Sequence, residues 1–209
     1  MNLMAAPRIG DGAPDFLANS TEGELRLSTW LGSRWLLLLY FPAAFTPVSV
    51  SEMQALDGRV EQLLGDNVAV LGVTPDTVQA QLAWLRDLRA RFGVSHFFPF
   101  ISDADLQLSM LYGVLHPGAS RACPVRASFI LDPKRTVRAS SFYPLANGRS
   151  VDELLRLLAA LRASDEQQAA TPAKWVKGER MLAAPPTRFS EIVEDDYGPG
   201  EDFYHRAAR

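Results

Sequence analysis

Trp35-Leu36-Leu37-Leu38-Leu39-Tyr40-Phe41 runs into the loop Pro42-Ala43-Ala44-Phe45-Thr46-Pro47 and then into a helical pattern. An unbroken apolar run bounded by Gly32 and Pro42 reads as a strand buried on both faces. It falls far short of the ~20 residues that span a bilayer. Beyond the loop, Glu52, Leu56, Val60 and Leu63 recur at helical spacing to about Leu64, where Gly65-Asp66-Asn67 supplies a stop.

The strand–loop–helix unit is followed by more of the same alternation. Val68 to Val73 reads as a second buried strand, and Asp76 or Thr77 can cap a helix running through Trp84, Leu85 and Leu88 to Gly93. Phe97 to Ile101 reads as a short strand, and Asp103 as the cap of a helix ending at Gly113. Arg126 to Leu131 and Thr136 to Phe142 read as strands joined by a turn at Asp132-Pro133-Lys134-Arg135. Val151 to about Ala163 has the pattern of an amphipathic helix. This order predicts an α/β fold with a mixed sheet and helices on both faces, which a thioredoxin-like sandwich satisfies. Residues 1–163 form the expected domain. Residues 164–209, richer in proline and ending near the acidic Glu194-Asp195-Asp196, form an expected extension that packs on the domain or on a partner subunit.

The composition narrows the class of function. The 209 residues are 47% hydrophobic and 22% charged with a formal net charge of -3, which argues against nucleic acid or an anionic membrane as partner. Cys123 is the one cysteine, so neither an intrachain disulfide nor a cysteine-rich metal site is expected. His96, His116 and His205 are too few for a histidine cluster, and no metal or cofactor is expected. The N-terminal Met1-Asn2-Leu3-Met4-Ala5-Ala6-Pro7-Arg8 lacks the apolar core of a signal peptide, and a reducing cytoplasm is the expected compartment.

Chemistry is expected where the first strand meets its helix. Pro47 suits a first helical turn, and the start of a helix favours an anion through its N–H groups and dipole. Taken alone, Thr46 or Ser49 is more simply an ordinary helix cap.

The stretch Pro42-x-x-Phe45-Thr46-Pro47-Val48-Ser49-x-Ser51-Glu52 resembles the active-site signature of the peroxiredoxins, in which a peroxidatic cysteine holds the place of Ser49. Ile9 to Phe16 is similar to the family's N-terminal segment, and Pro124 to Pro133 to its arginine-bearing strand. Tyr143-Pro144, Gly148-Arg149, Asp152 to Arg156 and Thr171-Pro172-Ala173-x-Trp175 resemble the 1-Cys subgroup, of alkyl hydroperoxide reductase and thiol-specific antioxidant type. The resemblance implies a thioredoxin-like fold, a homodimer, and reduction of hydrogen peroxide or alkyl hydroperoxides with an external thiol as reductant. It assigns the peroxide-holding and shielding roles to Thr46 and Pro42, activation to Arg126, and the orienting charge network to Glu52 and Arg149. A helix dipole and a guanidinium together lower a thiol pKa from ~8.5 into the range where thiolate dominates at neutral pH.

The decisive departure is Ser49. A hydroxyl is barely ionised near neutrality, and its oxygen has no counterpart to the thiol oxidation ladder, so no peroxide turnover through residue 49 is expected. The serine is either a laboratory replacement of a reactive cysteine or the native residue of a retasked scaffold. Phe41, Val50 and Pro124 also depart from the subgroup's histidine, threonine and threonine, and one replacement explains none of them. The retasked alternative is a tailoring enzyme or a small-ligand or anion-binding protein using the Thr46/Ser49/Arg126 pocket. Cys123 is a possible substitute thiol but reads first as a small buried hydrophobe. His116 is the candidate base for a serine nucleophile, without an acid partner or a G-x-S-x-G elbow to support it. Trp30, Trp35 and Trp84 read as packing residues, and Trp175 as an anchor for the tail.

Overall fold

The computed structural model describes residues 6–185, 187 and 188. Pro186, Glu194-Asp195-Asp196, Pro199 and His205 lie outside the described residues. The chain divides into two compact units, Met1–Arg149 and Ser150–Arg209.

The first unit is built on a seven-stranded sheet. Its elements are β1 (Leu17–Ser20), β2 (Gly23–Arg26), α1 (Leu27–Leu31), β3 (Trp35–Tyr40), α2 (Pro47–Gly65), β4 (Val68–Thr74), α3 (Val78–Phe92), β5 (Phe100–Ser102), α4 (Gln107–Leu111), β6 (Arg126–Leu131) and β7 (Val137–Tyr143). The strand order is β2-β1-β5-β4-β3-β6-β7. β3, β4 and β5 are parallel neighbours, while β1, β2, β6 and β7 join antiparallel, giving the mixed sheet expected of a thioredoxin-like fold.

Every residue of β3 and β4 is buried, because both are central strands covered on two sides. On one face Leu36, Leu38, Tyr40, Leu71, Val73 and Phe129 join Leu27, Leu31 and Tyr112 in a single core cluster. On the other, Trp84 of α3 meets Phe41 and Phe100 edge-on, and Gly72 leaves room for the Phe100 ring, into which any Cβ at that position would run. α2 presents Met53, Leu56, Val60 and Leu63 as its buried side. Trp35 and Trp84 are buried and Trp30 packs against the core, as their surroundings in the sequence suggest.

Four details depart from the sequence reading. The hairpin β1–β2 and the short α1 carry too few apolar residues to register as elements; β1 pairs with β5 through one position, Ser20 opposite Ile101. β5 begins at Phe100 rather than Phe97, since Pro99 has no N–H for a ladder. α4 is one turn long, and Asp103 reaches it from outside, accepting from the N–H groups of Leu108 and Ser109. Thr77 alone caps α3, accepting from the Ala80 N–H, while Asp76 points elsewhere.

In the second unit α5 (Val151–Gln167) starts at Ser150, whose hydroxyl accepts from the Glu153 N–H. Ala160, Ala169, Trp175 and Met181 form their own core cluster, so the segment after Gln167 folds back on α5 and groups with it. Trp175 is buried and donates through Nε1 to the Glu179 carbonyl, and an isolated bridge joins Ala170 to Leu182. Among the described residues, no helix is long and apolar enough to cross a membrane.

Candidate active site

Sheet register brings the site together. Tyr40 at the end of β3 pairs with Ala127, so Arg126 at the start of antiparallel β6 stands beside the residues leaving β3. Arg126 in turn pairs with Tyr143 at the end of β7, so the chain continues past the same corner through Leu145 to Arg149. Phe41 extends the edge of β3 by donating its N–H to the Val73 carbonyl, and Pro42, buried, begins the loop to α2.

That loop is bent tightly. Phe45 has a positive φ of 55°, an unfavourable conformation for a bulky side chain, and α2 begins with Pro47 at its first turn. Thr46 is the helix cap by backbone geometry, yet its side chain makes no capping bond. Its Oγ1 lies 2.7 Å from Ser49 Oγ and 3.2 Å from the Ala43 carbonyl. A residue type strongly favoured as a cap has its hydroxyl turned from the N–H groups of the first turn to the side chain of residue 49.

Ser49 is fully buried. Arg126 Nη1 donates to its Oγ at 3.1 Å and to Glu52 Oε2 at 3.0 Å, while Arg126 Nε donates to the Leu145 carbonyl at 3.0 Å. Arg149 donates to Glu52 Oε1 from Nε at 2.9 Å and to Oε2 from Nη2 at 2.8 Å, and its Nη1 reaches the Ala127 carbonyl. The Arg149 guanidinium also lies 4.4 Å from the centre of the Phe41 ring, a cation–π contact that gives the apolar Phe41 a role in this corner.

Two buried guanidiniums therefore share one carboxylate. Burial pushes the Arg126 guanidinium down from its usual value; Glu52 opposes this, and Arg149 adds to it. The cluster keeps one positive charge in excess, directed through Arg126 at the atom on residue 49, and an anion there would be stabilised.

Of the residues singled out in the sequence, Thr46, Ser49, Glu52, Arg126 and Arg149 form one hydrogen-bonded network, and Pro42 opens its loop. Cys123 is half-buried with Sγ 3.3 Å from Ser120 Oγ, and it lies within electrostatic reach of Arg126. His116 stacks on Phe142 at 5.3 Å. Among the described residues, the hydrogen-bond partners of Ser49 Oγ are a guanidinium and a hydroxyl, neither of them a general base. Asp76, which the sequence offers only as a helix cap, accepts through Oδ2 from the Ala44 N–H at 2.7 Å, and the carbonyls of Leu145 and Ala127 accept from the two guanidiniums, backbone acceptors that leave no mark in side-chain patterns.

Comparison with known proteins gives a consistent picture. Residues 9–140 match the model of the AhpC/TSA family, and residues 160–195 match the C-terminal domain of 1-Cys peroxiredoxin. A peroxiredoxin of Aquifex aeolicus is 33% identical over 204 residues, covering 93% of this chain and 92% of its own. The 1-Cys peroxiredoxin of Dictyostelium discoideum is 34% identical over 92% of this chain and 80% of its own. Among solved structures, a cysteine-to-serine mutant of the peroxiredoxin 6 of Arenicola marina superposes with a TM-score of 0.83 at 29% identity, covering 96% of this chain and 97% of that one. The yeast mitochondrial 1-Cys peroxiredoxin gives a TM-score of 0.82 at 26% identity, covering 96% and 97%.

Proposed function

The chain belongs to the peroxiredoxin family and has a thiol peroxidase scaffold of the 1-Cys type, and on that premise we propose that Thr46, Ser49 and Arg126 mark its peroxide site, with Ser49 at the position of the attacking sulfur. The observation that carries this reading is the surplus positive charge of Arg126 and Arg149 over Glu52, aimed at a buried atom on residue 49. A thiolate there has its charge matched by Arg126 and the start of α2. It attacks the terminal oxygen of a hydroperoxide; the S–O bond forms, the O–O bond breaks, and the alkoxide or hydroxide leaves and takes a proton. Sulfur is oxidised to sulfenic acid and the peroxide is reduced. Thr46 and the first turn of α2 hold the peroxide oxygens, and Glu52 with Arg149 holds Arg126 in place. Cys123 belongs to none of the family's motifs, so reduction of a sulfenic acid at position 49 falls to an external thiol.

With the hydroxyl of Ser49 in that place, the scaffold is inert toward peroxide through residue 49. The peroxiredoxin relatives and neighbours weigh against a retasked binding protein or tailoring enzyme. A homodimer belongs to the same reading.

The test is hydrogen peroxide consumption, with an external thiol, by Ser49→Cys, Ser49→Cys with Arg126→Ala, and the unchanged chain, each also with Cys123→Ser. Fast consumption by Ser49→Cys, its loss with Arg126→Ala and inertness of the unchanged chain support the assignment. An inert Ser49→Cys overturns it.

A further inference from the structure

The Ala43–Ala44 peptide group is gripped at both ends. Its N–H, on Ala44, donates to Asp76 Oδ2 at 2.7 Å, and its carbonyl, on Ala43, lies 3.2 Å from Thr46 Oγ1. A peptide group is planar, so fixing the direction of the N–H fixes the direction of the C=O. Thr46 Oγ1 is then 2.7 Å from Ser49 Oγ. Asp76, Ala44, Ala43, Thr46 and Ser49 thus form one line of contacts from the end of β4 to the site.

Asp76 is itself anchored through its backbone by two strands, and α3 braces one of them. Its N–H donates to Thr74 Oγ1 at 3.1 Å, and its carbonyl accepts from Ser102 Oγ at 2.8 Å. The buried Gln81 of α3 donates to that same Thr74 Oγ1 at 3.1 Å and to the Ile101 carbonyl at 2.8 Å. The backbone of Asp76 is therefore held between β4 and β5, its carboxylate projects from that fixed base, and the bond to Ala44 is charge-assisted.

The loop needs such a post. Phe45 is held at positive φ, and the Thr46 hydroxyl has an attractive alternative: rotation to cap the open first turn of α2, its usual role. An oriented Ala43 carbonyl offers Thr46 an acceptor on the side of residue 49 and holds it from that rotation.

We propose that Asp76 is a positioning residue of the peroxide site, fixing the plane of the Ala43–Ala44 peptide and through it the rotamer of Thr46 that faces residue 49. The proposal rests on the assignment of Thr46 and residue 49 above. It gives Asp76 a task distinct from the helix cap that its place in the sequence suggests, a task that Thr77 performs.

Asp76→Ala and Asp76→Asn test it in two settings. In the unchanged chain, Asp76→Ala is expected to shift the Ala44 amide resonance, speed its hydrogen exchange and release Thr46 from a single χ1 rotamer, read from side-chain couplings. Asp76→Asn keeps an acceptor oxygen and is expected to preserve all three. In the Ser49→Cys background, Asp76→Ala is expected to lower kcat/KM for hydrogen peroxide on the order of ten- to a hundredfold, as small misplacements of a positioning group do. Asp76→Asn is expected to retain most of the rate. An unchanged Thr46 rotamer in Asp76→Ala, or an Asp76→Asn as impaired as Asp76→Ala, overturns the proposal. Should Ser49→Cys itself be inert, the peroxide assignment falls, and the Thr46 rotamer in the unchanged chain still decides whether Asp76 positions it.

Discussion

Glu52 and Arg149 meet at three points: the Arg149 backbone N–H and Nε both donate to Oε1, at 2.8 and 2.9 Å, and Nη2 donates to Oε2 at 2.8 Å. The pair ties α2 to the segment that follows β7. It also leaves only Oε2 for Arg126, so one carboxylate serves two guanidiniums. The corner therefore sets two guanidiniums against one carboxylate, a positive charge distribution in a buried place.

Removing the shared carboxylate isolates both cations. Glu52→Gln is expected to destabilise the fold by about 3–5 kcal/mol, the scale on which a broken buried ion pair is felt. Urea unfolding of the variant measures it. Adding Arg149→Met to Glu52→Gln removes one stranded charge and is expected to recover part of the loss. No recovery would show that the cost lies in packing and not in charge.

The middle of α2 is tied down by a second carboxylate. Asp57 Oδ1 accepts from the N–H groups of Ser95 and His96 at 2.8 and 2.7 Å, with the His96 ring 3.3 Å away and Glu61 on its far side. Partial burial raises the Asp57 pKa, but the N–H groups of His96 and Ser95 outweigh it and hold the carboxyl below its usual value. A depressed folded-state pKa means that the stabilisation is present above the unfolded value of ~3.9 and is lost as pH falls through the folded value. The stability difference between the protein and Asp57→Asn is therefore expected to be constant near neutrality and to shrink below about pH 4. Unfolding curves at stepped pH check this, and a difference that grows on acidification contradicts it.

In the second unit the chain beyond α5 depends on one indole. Trp175→Ala is expected to cost about 3–5 kcal/mol within that unit, as large-to-small changes at buried aromatics do. Limited proteolysis reads it directly: cleavage between residues 168 and 182 is expected to become fast in the variant and to remain slow in the parent. Equal cleavage in both would show that Trp175 does not hold the segment.

The fold was largely legible because its central strands leave a coarse mark. An apolar run such as Trp35 to Phe41 has few alternatives, and Val68 to Val73 repeats the pattern after a helix. β1 and β2 expose most of their residues and pair through a short register, and α1 is only five residues long, so hydrophobic spacing carries little information about them. The site was legible as a set of residues through the resemblance of its motifs, and Thr46, Ser49, Glu52, Arg126 and Arg149 do converge.

By itself the sequence determined the alternation of strands and helices, the family to which the motifs point, and the oxygen in place of sulfur at residue 49, since each is written in residue type and local spacing. Which groups touch depends on how the strands pair. Arg126 stands 77 positions from Ser49 and meets it because β6 runs antiparallel to β3 in a particular register. Asp76 could cap a helix or hold a loop, and both uses are compatible with its neighbours in the chain. The choice fell to the loop because parallel pairing of β3 and β4 ends both strands at one edge, which puts the Asp76 carboxylate within 2.7 Å of the Ala44 N–H.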